Sequence, residues 1–317
     1  MLYYVHYYPL SMIKSPTTIS IPPHHSTYLH GTGAGILIAN KLRKLFEGYT
    51  DPRGFSATDL ERAITYDASV VTSWEQHLTE YTGETKPFEK KHVLELGPGA
   101  DLGIGLLLLD RGADRYTAFD KHNLIKKTPH ALYEQLAASP HIMGSATSRT
   151  NLLSEIDQAL RGTSEKIVYR VDPTFAVQTI TPIVDTIVSQ AAFEHFDDVT
   201  KLAHDLSAIT HSGSVLCAEI DLQTHSRYVR EHDPLNIYRY SDWFYNLCAF
   251  TGSPNRLRPY EYVDAFEAAG WHKLRVIPLQ QSDAAYYNRT VPHLAPRFRD
   301  SKNDMQTLTC ILLATKK

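Results

Sequence analysis

From residue 92 to residue 221, short apolar runs alternate with longer segments of mixed polar and apolar residues. The short runs predict five strands, at 92–96, 115–120, 166–171, 183–188 and 214–220. The longer segments predict helices at 102–111, 129–138, 151–160 and 197–210. Strands that alternate with helices are typical of a parallel sheet with helices on both faces.

The chain before this region follows a different pattern and predicts no strand. Residues 1–30 are rich in Tyr, His and Pro and predict an extended arm. The glycine-rich stretch 31–35 predicts a turn that leads into a helix over 36–46. A second helix is predicted over 59–78.

After the fifth predicted strand the alternation stops. Residues 222–260 contain eight aromatic side chains and five arginines, a composition too apolar for a linker, and we interpret them as an inserted cap. The chain then returns to a helix and two strands, at 259–269, 271–279 and 307–314. The predicted organisation is an N-terminal arm and helical extension over 1–90, followed by a core over 91–317 that includes the cap.

Composition narrows the class of protein. The 317 residues are 43% apolar and 21% charged, with 32 Lys and Arg against 35 Asp and Glu, for a net charge of −3. This balance disfavours a disordered chain and a basic nucleic-acid-binding protein. Three widely spaced cysteines predict no disulfide framework, which favours a reducing, cytoplasmic location. No apolar stretch approaches the roughly 18–20 residues of a membrane span, and no signal peptide is expected.

Tyrosine and histidine are unusually frequent. The chain has 19 Tyr and 16 His, side chains that combine an apolar body with a polar tip. Five of the tyrosines lie within residues 1–30 and five within 222–260. Such side chains suit a polar pocket, and compositional drift is the alternative explanation.

A glycine turn follows the first strand of the alternating region. Gly97 and Gly99 flank a proline, and Glu95 lies two residues before Gly97. Glycine lets a ligand approach the backbone closely, and ligands of open α/β sheets bind at the carboxyl ends of the strands. The dinucleotide-binding pattern GxGxxG is broken at Leu102.

The next three strands end in polar residues. Asp120 ends the second strand, 23 residues after Gly97, where an acid can accept hydrogen bonds from both ribose hydroxyls. Asp172 ends the third strand, and Ser189 and Gln190 end the fourth. Four consecutive strand ends of this kind predict a nucleoside-binding site, although acids near strand ends also serve as helix caps.

Together these segments resemble the class I S-adenosylmethionine-dependent methyltransferases. The resemblance covers residues from about 90 to 317 and rests on VLELGPG at 93–99, YTAFD at 116–120, RVDP at 170–173 and VDTIVSQAAFEHFDD at 184–198. It implies a Rossmann-like α/β fold, with a seven-stranded, mostly parallel sheet and an antiparallel last strand. The helical extension precedes that sheet, and the cap follows its fifth strand. Asp101 departs from the family's commonest motif, which has a third glycine there, and Gly103 is a candidate replacement.

The resemblance also implies the cofactor, S-adenosylmethionine, and residues that hold it. Gly97 and Gly99 would pass beneath its methionine part, and Glu95 would help to hold its amino group, directly or through water. Asp120 would hold the ribose, and Asp172 would face the adenine amino group. In addition, Ser189 and Gln190 would border the sulfonium and the acceptor.

Two histidines follow strand ends and are the candidate catalytic residues. His195 comes after the fourth predicted strand and His225 after the fifth, so we expect both to face the cofactor cleft. Either is suited to remove a proton from a hydroxyl acceptor, because the ordinary pKa of histidine lies near neutral pH. A structural role is the alternative for His195, and Asp221 is a candidate to orient His225. Asp221, His225 and His232 match no strong metal-binding spacing, so no metal is predicted.

The cap supplies the candidate acceptor-binding residues. Tyr240 and Trp243 could line a pocket, and Arg239 or Arg256 could meet an anionic group. The alternative is that the aromatic side chains simply pack the cap onto the core.

The predicted reaction is methyl transfer from S-adenosylmethionine to a small-molecule oxygen, with nitrogen as the second choice. We expect neither a nucleic-acid partner nor a membrane, and a homo-oligomer is compatible with the sequence. An NAD(P)-dependent oxidoreductase of Rossmann type and a non-catalytic binding protein on the same fold are the alternatives.

Overall fold

One eight-stranded sheet organises the protein. The structure is a computed structural model that describes residues 15–23, 26–47 and 57–317. The strands are β1 (Thr17–Ile19), β2 (His92–Leu96), β3 (Arg115–Asp120), β4 (Ile167–Val171), β5 (Val184–Gln190), β6 (Thr210–Asp221), β7 (Trp271–Ser282) and β8 (Thr307–Lys316). Their order across the sheet is β1-β7-β8-β6-β5-β2-β3-β4.

The sheet is parallel except for β8. This last strand runs antiparallel to both of its neighbours, β6 and β7, and every other pairing is parallel. The predicted Rossmann-like sheet of seven mostly parallel strands with an antiparallel last strand is therefore confirmed. The eighth strand, β1, contradicts the prediction that the N-terminal region has no strand. It has three residues, too few for a periodic pattern, and forms by pairing with the end of β7.

Ten α-helices accompany the sheet in the described ranges. They are α1 (Ser26–Glu47), α2 (Ala57–Thr82), α3 (Gly103–Asp110), α4 (His130–Ala138), α5 (Ala146–Leu160), α6 (Val199–Ala208), α7 (Arg227–His232), α8 (Asp242–Cys248), α9 (Pro259–Ala268) and α10 (Ala284–Thr290). None of the helices in these ranges has both the length and the apolar character needed to cross a bilayer.

Apolar side chains fill both faces of the sheet. One face carries α2, α3, α4 and α5, whose buried residues form one core with β2 and β3. The opposite face carries α6 and α9, packed on β5, β6 and β8. Trp74 of α2 is fully buried in the first core. The second helix of the predicted N-terminal extension is thus part of the main core, and this position brings its residues to the glycine turn.

The predicted turn at residues 31–35 does not form, because these glycines lie inside α1. A Cβ atom on Gly33 would lie 1.9 Å from Oδ1 of Asn236 and 2.4 Å from the hydroxyl oxygen of Tyr240. Glycine at 33 therefore lets α1 lie directly against the cap. In the predicted arm, residues 1–14 and 24–25 fall outside the described residues, and the rest contributes β1 and the start of α1.

The cap has a hydrophobic core of its own. It combines cap residues such as Tyr238 and Tyr245 with Tyr286 and Phe298 from the connection between β7 and β8. Ile21, next to β1, also belongs to this third core. The cap is thus held at the end of the sheet by residues next to β1 and by the connection between β7 and β8.

Candidate functional site

The glycine turn lies where β2 ends, beside the chain that leaves β5. Gly97 and Gly99 have φ angles of +72° and +79°, a conformation that favours glycine. A Cβ on Gly97 would lie 2.7 Å from the Cβ of Ala192, whereas a Cβ on Gly99 would meet no atom within 4 Å. The backbone at Gly99 is therefore open to a ligand, and Gly97 is needed for the close approach of the two loops.

A cavity of about 440 Å³ extends from this turn along the carboxyl ends of β3, β4 and β5. Gly97, Asp120, Phe175 and Phe196 line it, together with His195. Pockets of this size hold small molecules and cofactors. The predicted position of a nucleoside site at this edge therefore coincides with a cavity large enough for one.

Asp120 is held at the mouth of the turn. Its Oδ1 accepts the backbone N–H of His122 at 2.8 Å. Burial raises the pKa of Asp120, and hydrogen bonds from backbone amides, including that of Gly99, partly offset this shift. A carboxylate that is fixed by backbone amides and faces a cavity is suited to receive the hydroxyl groups of a ribose.

Phe175 and Phe196 form an aromatic wall that sequence reasoning missed. Their ring centroids lie 4.8 Å apart, and Phe175 also packs edge-on against Phe119 at 4.9 Å. Both residues come shortly after strand ends, in the loops that follow β4 and β5. That position was the available signal, since loops after parallel strands build the ligand site of this fold class.

Asp172 and Ser189 have structural roles, in contrast to their implied contacts with a cofactor. Oδ1 of Asp172 accepts the backbone N–H and the hydroxyl of Thr174, at 2.8 and 2.7 Å, which fixes the turn that presents Phe175. The hydroxyl of Ser189 is fully buried and donates to the carbonyl of Leu96 at 2.9 Å. Both residues therefore position the loops around the cavity and do not line it.

Buried carboxyl groups surround the glycine turn. Glu95 is 1% exposed and accepts the hydroxyl of Tyr116. Burial raises the pKa of Glu95 to about 8, and the charges of Asp101 and Asp120 add to that shift. Glu95 is therefore an enclosed carboxyl group beside the turn that keeps its proton at neutral pH.

The acid cluster includes a residue of α2 that the sequence did not reveal. Asp67 is buried, and a Cβ on Gly103 would lie 2.2 Å from its Oδ2. That oxygen has no hydrogen-bond partner within the described structure. Burial and the neighbouring carboxyl of Asp101 raise the pKa of Asp67 well above its usual range. An aspartate on an otherwise amphipathic helix was the only signal for this contact.

The same cluster occupies the start of α3. Oδ1 of Asp101 accepts the backbone N–H of Gly103 at 2.8 Å, and the N–H of Leu102 donates to the hydroxyl of Tyr133 at 3.3 Å. In dinucleotide-binding folds a pyrophosphate uses the amides at this position. Here two of those amides are already paired, and an acid stands in front of them.

Gln190 and Tyr66 border the same region from β5 and α2. Burial raises the pKa of Glu219, and a hydrogen bond from Gln190 partly offsets this shift. Oε1 of Gln190 is buried and unpaired within the described residues. Burial raises the pKa of Tyr66 to about 12, with contributions from the charges of Glu219 and Asp67. Gln190 thus has a buried, unpaired acceptor oxygen near the position where the resemblance places the sulfonium.

His195 and His225 come together as the sequence predicted. Their ring centroids lie 4.8 Å apart at an interplanar angle of 68°. Nδ1–H of His195 donates to the carbonyl of Gly252 at 2.7 Å, because a carbonyl can only accept, and Nε2 is left with its lone pair. Burial lowers the pKa of both histidines, and the adjacent His195 lowers that of His225 further. Both rings are therefore neutral at neutral pH.

Two acids flank the histidine pair. Oε1 of Glu194 lies 3.9 Å from Nε2 of His225, and Oδ2 of Asp221 lies 3.6 Å from the same nitrogen. Glu194 is buried, and neither carboxylate oxygen has a hydrogen-bond partner in the described residues. The predicted proximity of Asp221 and His225 is therefore present, at a distance longer than a hydrogen bond. The group that forms contains Glu194 and His195 and leaves out His232.

A second cavity of about 320 Å³ lies between α1 and the cap. His225 lines it, His195 lines the cavity at the glycine turn, and Gly252 lines both. The two histidine rings therefore stand at the junction of a cavity at the sheet edge and a cavity under the cap.

The four predicted acceptor residues of the cap have other roles. Nε and Nη2 of Arg239 donate to the carboxylate of Asp233, at 2.6 and 3.1 Å, in the cap interior. Arg256 donates to backbone carbonyls and lies over the ring of Tyr245. Because both guanidinium groups are buried and paired, neither is available to an anionic acceptor.

Neither of the two predicted aromatic residues, Tyr240 and Trp243, lines one of these two cavities. Tyr240 is buried and donates its hydroxyl to the carbonyl of His30 at 2.8 Å, which ties the cap to α1. Trp243 is 75% exposed and is not among the residues that line either cavity. The alternative reading, in which the cap aromatics mainly pack, accounts for Tyr240.

Comparison with known proteins gives similarity in fold. No family model matches the chain, and no curated protein sequence matches it significantly. Solved structures with a similar fold include the carbon methyltransferase CurJ, 14% identical, with a TM-score of 0.44 over 92% of this chain and 68% of that one. An S-adenosylmethionine-dependent methyltransferase from Mesorhizobium loti is 12% identical, with a TM-score of 0.40 over 72% and 92%. Phosphoethanolamine N-methyltransferase 2 from Haemonchus contortus is 11% identical, with a TM-score of 0.40 over 83% and 60%.

Proposed function

We propose that this protein is an enzyme that transfers a methyl group from S-adenosylmethionine to a small-molecule acceptor, at oxygen. One observation carries the proposal. A nucleoside-sized cavity that contains Asp120 begins at a glycine turn, and buried carboxyl groups of Glu95, Asp67 and Asp101 cluster beside that turn. A ligand that is a nucleoside at one end and a cation at the other matches this distribution of charge.

The residues present fit such a donor. Asp120 would hold the ribose, and the aromatic wall of Phe175 and Phe196 would pack against the base. The unpaired Oδ2 of Asp67 and the unpaired Oε1 of Gln190 are acceptors for the ammonium and sulfonium groups. The donor supplies a methyl group bound to a positively charged sulfur, and the protein supplies alignment and a field that stabilises that charge.

The acceptor is proposed to bind in the cavity between α1 and the cap. That cavity meets the donor side at His195 and His225, and a neutral imidazole can take the proton of a hydroxyl group. The pair therefore favours an acceptor that loses a proton as it is methylated, and oxygen is the simplest such atom. The size of the cavity suits a metabolite.

A nicotinamide-dependent oxidoreductase is the second candidate on this fold. It would bring a pyrophosphate to the start of α3, where Asp101 already occupies the N–H of Gly103. The carboxyl groups of Asp67 and Glu95 beside the turn offer acceptor oxygens and no positive charge to the pyrophosphate. The site therefore favours a cationic donor over a dinucleotide.

Calorimetry with S-adenosylmethionine and with NAD⁺ tests the donor half of the proposal. We expect one molecule of S-adenosylmethionine to bind per chain and NAD⁺ to give no signal. Tight binding of NAD⁺ without a response to S-adenosylmethionine would contradict the proposal. Donor binding without turnover on any acceptor would instead favour a non-catalytic binding protein.

A donor labelled in its methyl group, incubated with panels of hydroxyl and amine metabolites, tests the acceptor half. Mass spectrometry of the product then locates the methylated atom. We expect label on oxygen, and label found on nitrogen would contradict the oxygen assignment while leaving the donor site intact.

A further inference from the structure

Glu194 lies against His195 and His225, and the proposed methyl transfer gives its carboxyl group no role. One ligand atom from each residue lies within 4.8 Å of the other two. Glu194 comes from the short loop after β5, and His225 comes from the start of the cap. The tertiary structure therefore brings together three side chains of types that bind metals, although their spacing in the sequence matches no metal-binding motif.

The carboxylate of Glu194 lacks a partner. It is buried, and neither of its oxygens accepts a hydrogen bond from the described residues. A buried carboxylate without a partner costs free energy, so such groups are normally paired with a donor or a cation. The side chains nearest to it include the two histidines, and Nε2 of His225 lies 3.9 Å from Oε1 of Glu194.

A surface cluster of similar composition shows the difference. His130 bridges Glu134 at 3.1 Å and Asp157 at 2.8 Å, so both carboxylates there have a hydrogen-bonded partner. At Glu194 the protein places two imidazoles and a carboxyl group around one point, and that carboxyl group has no such partner among the described residues. Imidazole nitrogens and carboxylate oxygens are side-chain ligands of metal ions.

We propose that Glu194, His195 and His225 bind one divalent cation of the zinc type. Two imidazoles and one carboxylate are a known set of three protein ligands for catalytic Zn²⁺, with bonds of about 2.0–2.2 Å. Ligand atoms on one such ion lie about 3 to 4 Å apart. Side-chain rotations that move the ligand atoms by about 1 Å would bring the present cluster to that geometry.

The orientation of His195 supports this assignment. Its Nδ1–H donates to the carbonyl of Gly252, which leaves Nε2 as the ligand atom and fixes the plane of the ring. Ligand histidines in metal sites are usually held in this way by a backbone carbonyl or a carboxylate. Oδ2 of Asp221, which Arg230 holds by an ion pair, lies 3.6 Å from Nε2 of His225, so a second carboxylate stands beside the same nitrogen.

Three protein ligands leave one position of a four-coordinate ion for another group. His225 borders the cavity under the cap, so the fourth ligand is an oxygen of the acceptor bound there. This last step rests on the proposed function, whereas the binding of the cation does not. It narrows the acceptor to molecules with a hydroxyl or carboxylate oxygen that can bind a metal and lose a proton.

The test is titration of the full-length protein, freed of metal by chelation, with Zn²⁺ and separately with Co²⁺. Calorimetry should give one tight site per chain, and Co²⁺ should show the visible absorption of a four- or five-coordinate ion. Glu194→Gln and His225→Ala should each weaken the affinity by at least about tenfold, since each removes one ligand. His130→Ala is the matched control, and it should bind both metals like the wild type.

Two further measurements separate the possible failures. Circular dichroism and thermal unfolding of the metal-free variants show whether each has folded. Binding of S-adenosylmethionine to Glu194→Gln tests the donor site separately. The methyl-transfer proposal can therefore fail while the metal site stands, and the metal proposal can fail while the methyl-transfer proposal stands. The metal proposal is overturned if the wild type binds no metal stoichiometrically, or if folded Glu194→Gln and His225→Ala bind it as tightly as the wild type.

Discussion

The carboxyl edge of the sheet and the interior of the cap both bury many polar side chains, but they treat them differently. In the cap, Asp233 accepts from Arg239, Asn236 and Tyr286, and its carboxylate is completely enclosed. At the sheet edge, buried oxygens of Asp67, Gln190 and Glu194 have no partner in the described structure.

The difference separates structural polar groups from groups that await a ligand. A buried polar atom without a partner costs about 1–3 kcal/mol, so a cluster of such atoms calls for an explanation. In the cap the network around Asp233 is complete, and its polar residues stabilise the fold. At the sheet edge the network is incomplete, and a cationic donor and a metal ion would complete it. The predictions below test this division, from the largest expected effect to the smallest.

The largest effect is expected in the cap. Arg239→Ala leaves the carboxylate of Asp233 buried without its cation, and breaking a buried ion pair in this way costs about 3–5 kcal/mol. Urea denaturation measures the loss. Arg297→Ala, which removes a half-exposed ion pair with Glu261, should cost at most about 1 kcal/mol. Wild-type stability in Arg239→Ala, together with a raised KM, would restore its role in acceptor binding.

At the junction of the two cavities, His225→Ala should lower kcat by about 100-fold or more, the range expected for loss of a group that handles a proton. Donor affinity should change little, because His225 lines the cavity under the cap. Single-turnover kinetics and donor calorimetry measure the two quantities separately. Wild-type turnover in His225→Ala and in His195→Ala would remove both residues from the chemistry.

On the donor side, Asp120→Ala should weaken binding of S-adenosylmethionine by roughly 10- to 100-fold, since hydrogen bonds to a charged group contribute about 1.5–3 kcal/mol. Asp172→Ala is the matched comparison. It removes an acid at the neighbouring strand end that bonds to Thr174 and does not line the cavity, so its effect should be smaller. Equal losses in the two variants would return Asp172 to the cofactor site.

The contact between α1 and the cap can be tested with three glycines. Gly33→Ala would place a Cβ 1.9 Å from Oδ1 of Asn236, and such overpacking costs about 1–3 kcal/mol. A Cβ on Gly31 or Gly35 would meet nothing within 4 Å. Gly31→Ala and Gly35→Ala should therefore stabilise the helix by up to about 1 kcal/mol. The urea midpoints of the three variants measure these changes in stability. A stabilising Gly33→Ala would contradict the packing described.

The smallest effect is the slope of stability with pH, which for one titrating group is at most about 1.4 kcal/mol per pH unit. Glu95 faces Tyr116, Asp67, Asp101 and Asp120, and its pKa is raised from 4.5 to about 8.

Between those pH values the folded protein keeps a proton that the unfolded chain has lost, so the free energy of unfolding falls as pH rises. Glu95→Gln should flatten that slope between about pH 5 and pH 8. The surface variant Glu84→Gln should leave it unchanged. A slope in Glu95→Gln as steep as in the wild type would assign the dependence to other groups.

Sequence patterns predicted the sheet edge well because strand periodicity and topology together fix it. Apolar runs locate the parallel strands, and parallel strands must end at the same edge, so the glycine turn, Asp120 and the histidines were bound to lie near one another. Residue chemistry alone did not show that Asp172 and Ser189 bond to neighbouring backbone and side-chain groups. It also missed Asp67, because nothing in sequence shows that α2 crosses the start of α3.

The sequence by itself determined the fold class, the alternation of strands and helices, and the sheet edge at which the cavity lies. Local patterns contain that information, since each strand and each glycine turn reflects its own few residues. Only the tertiary structure decided that the cap tyrosines and arginines form a core, that glycines 31–35 continue a helix, and that Glu194 meets His195 and His225. Those outcomes depend on contacts between residues distant in the chain, where burial and pairing set the role of each polar group.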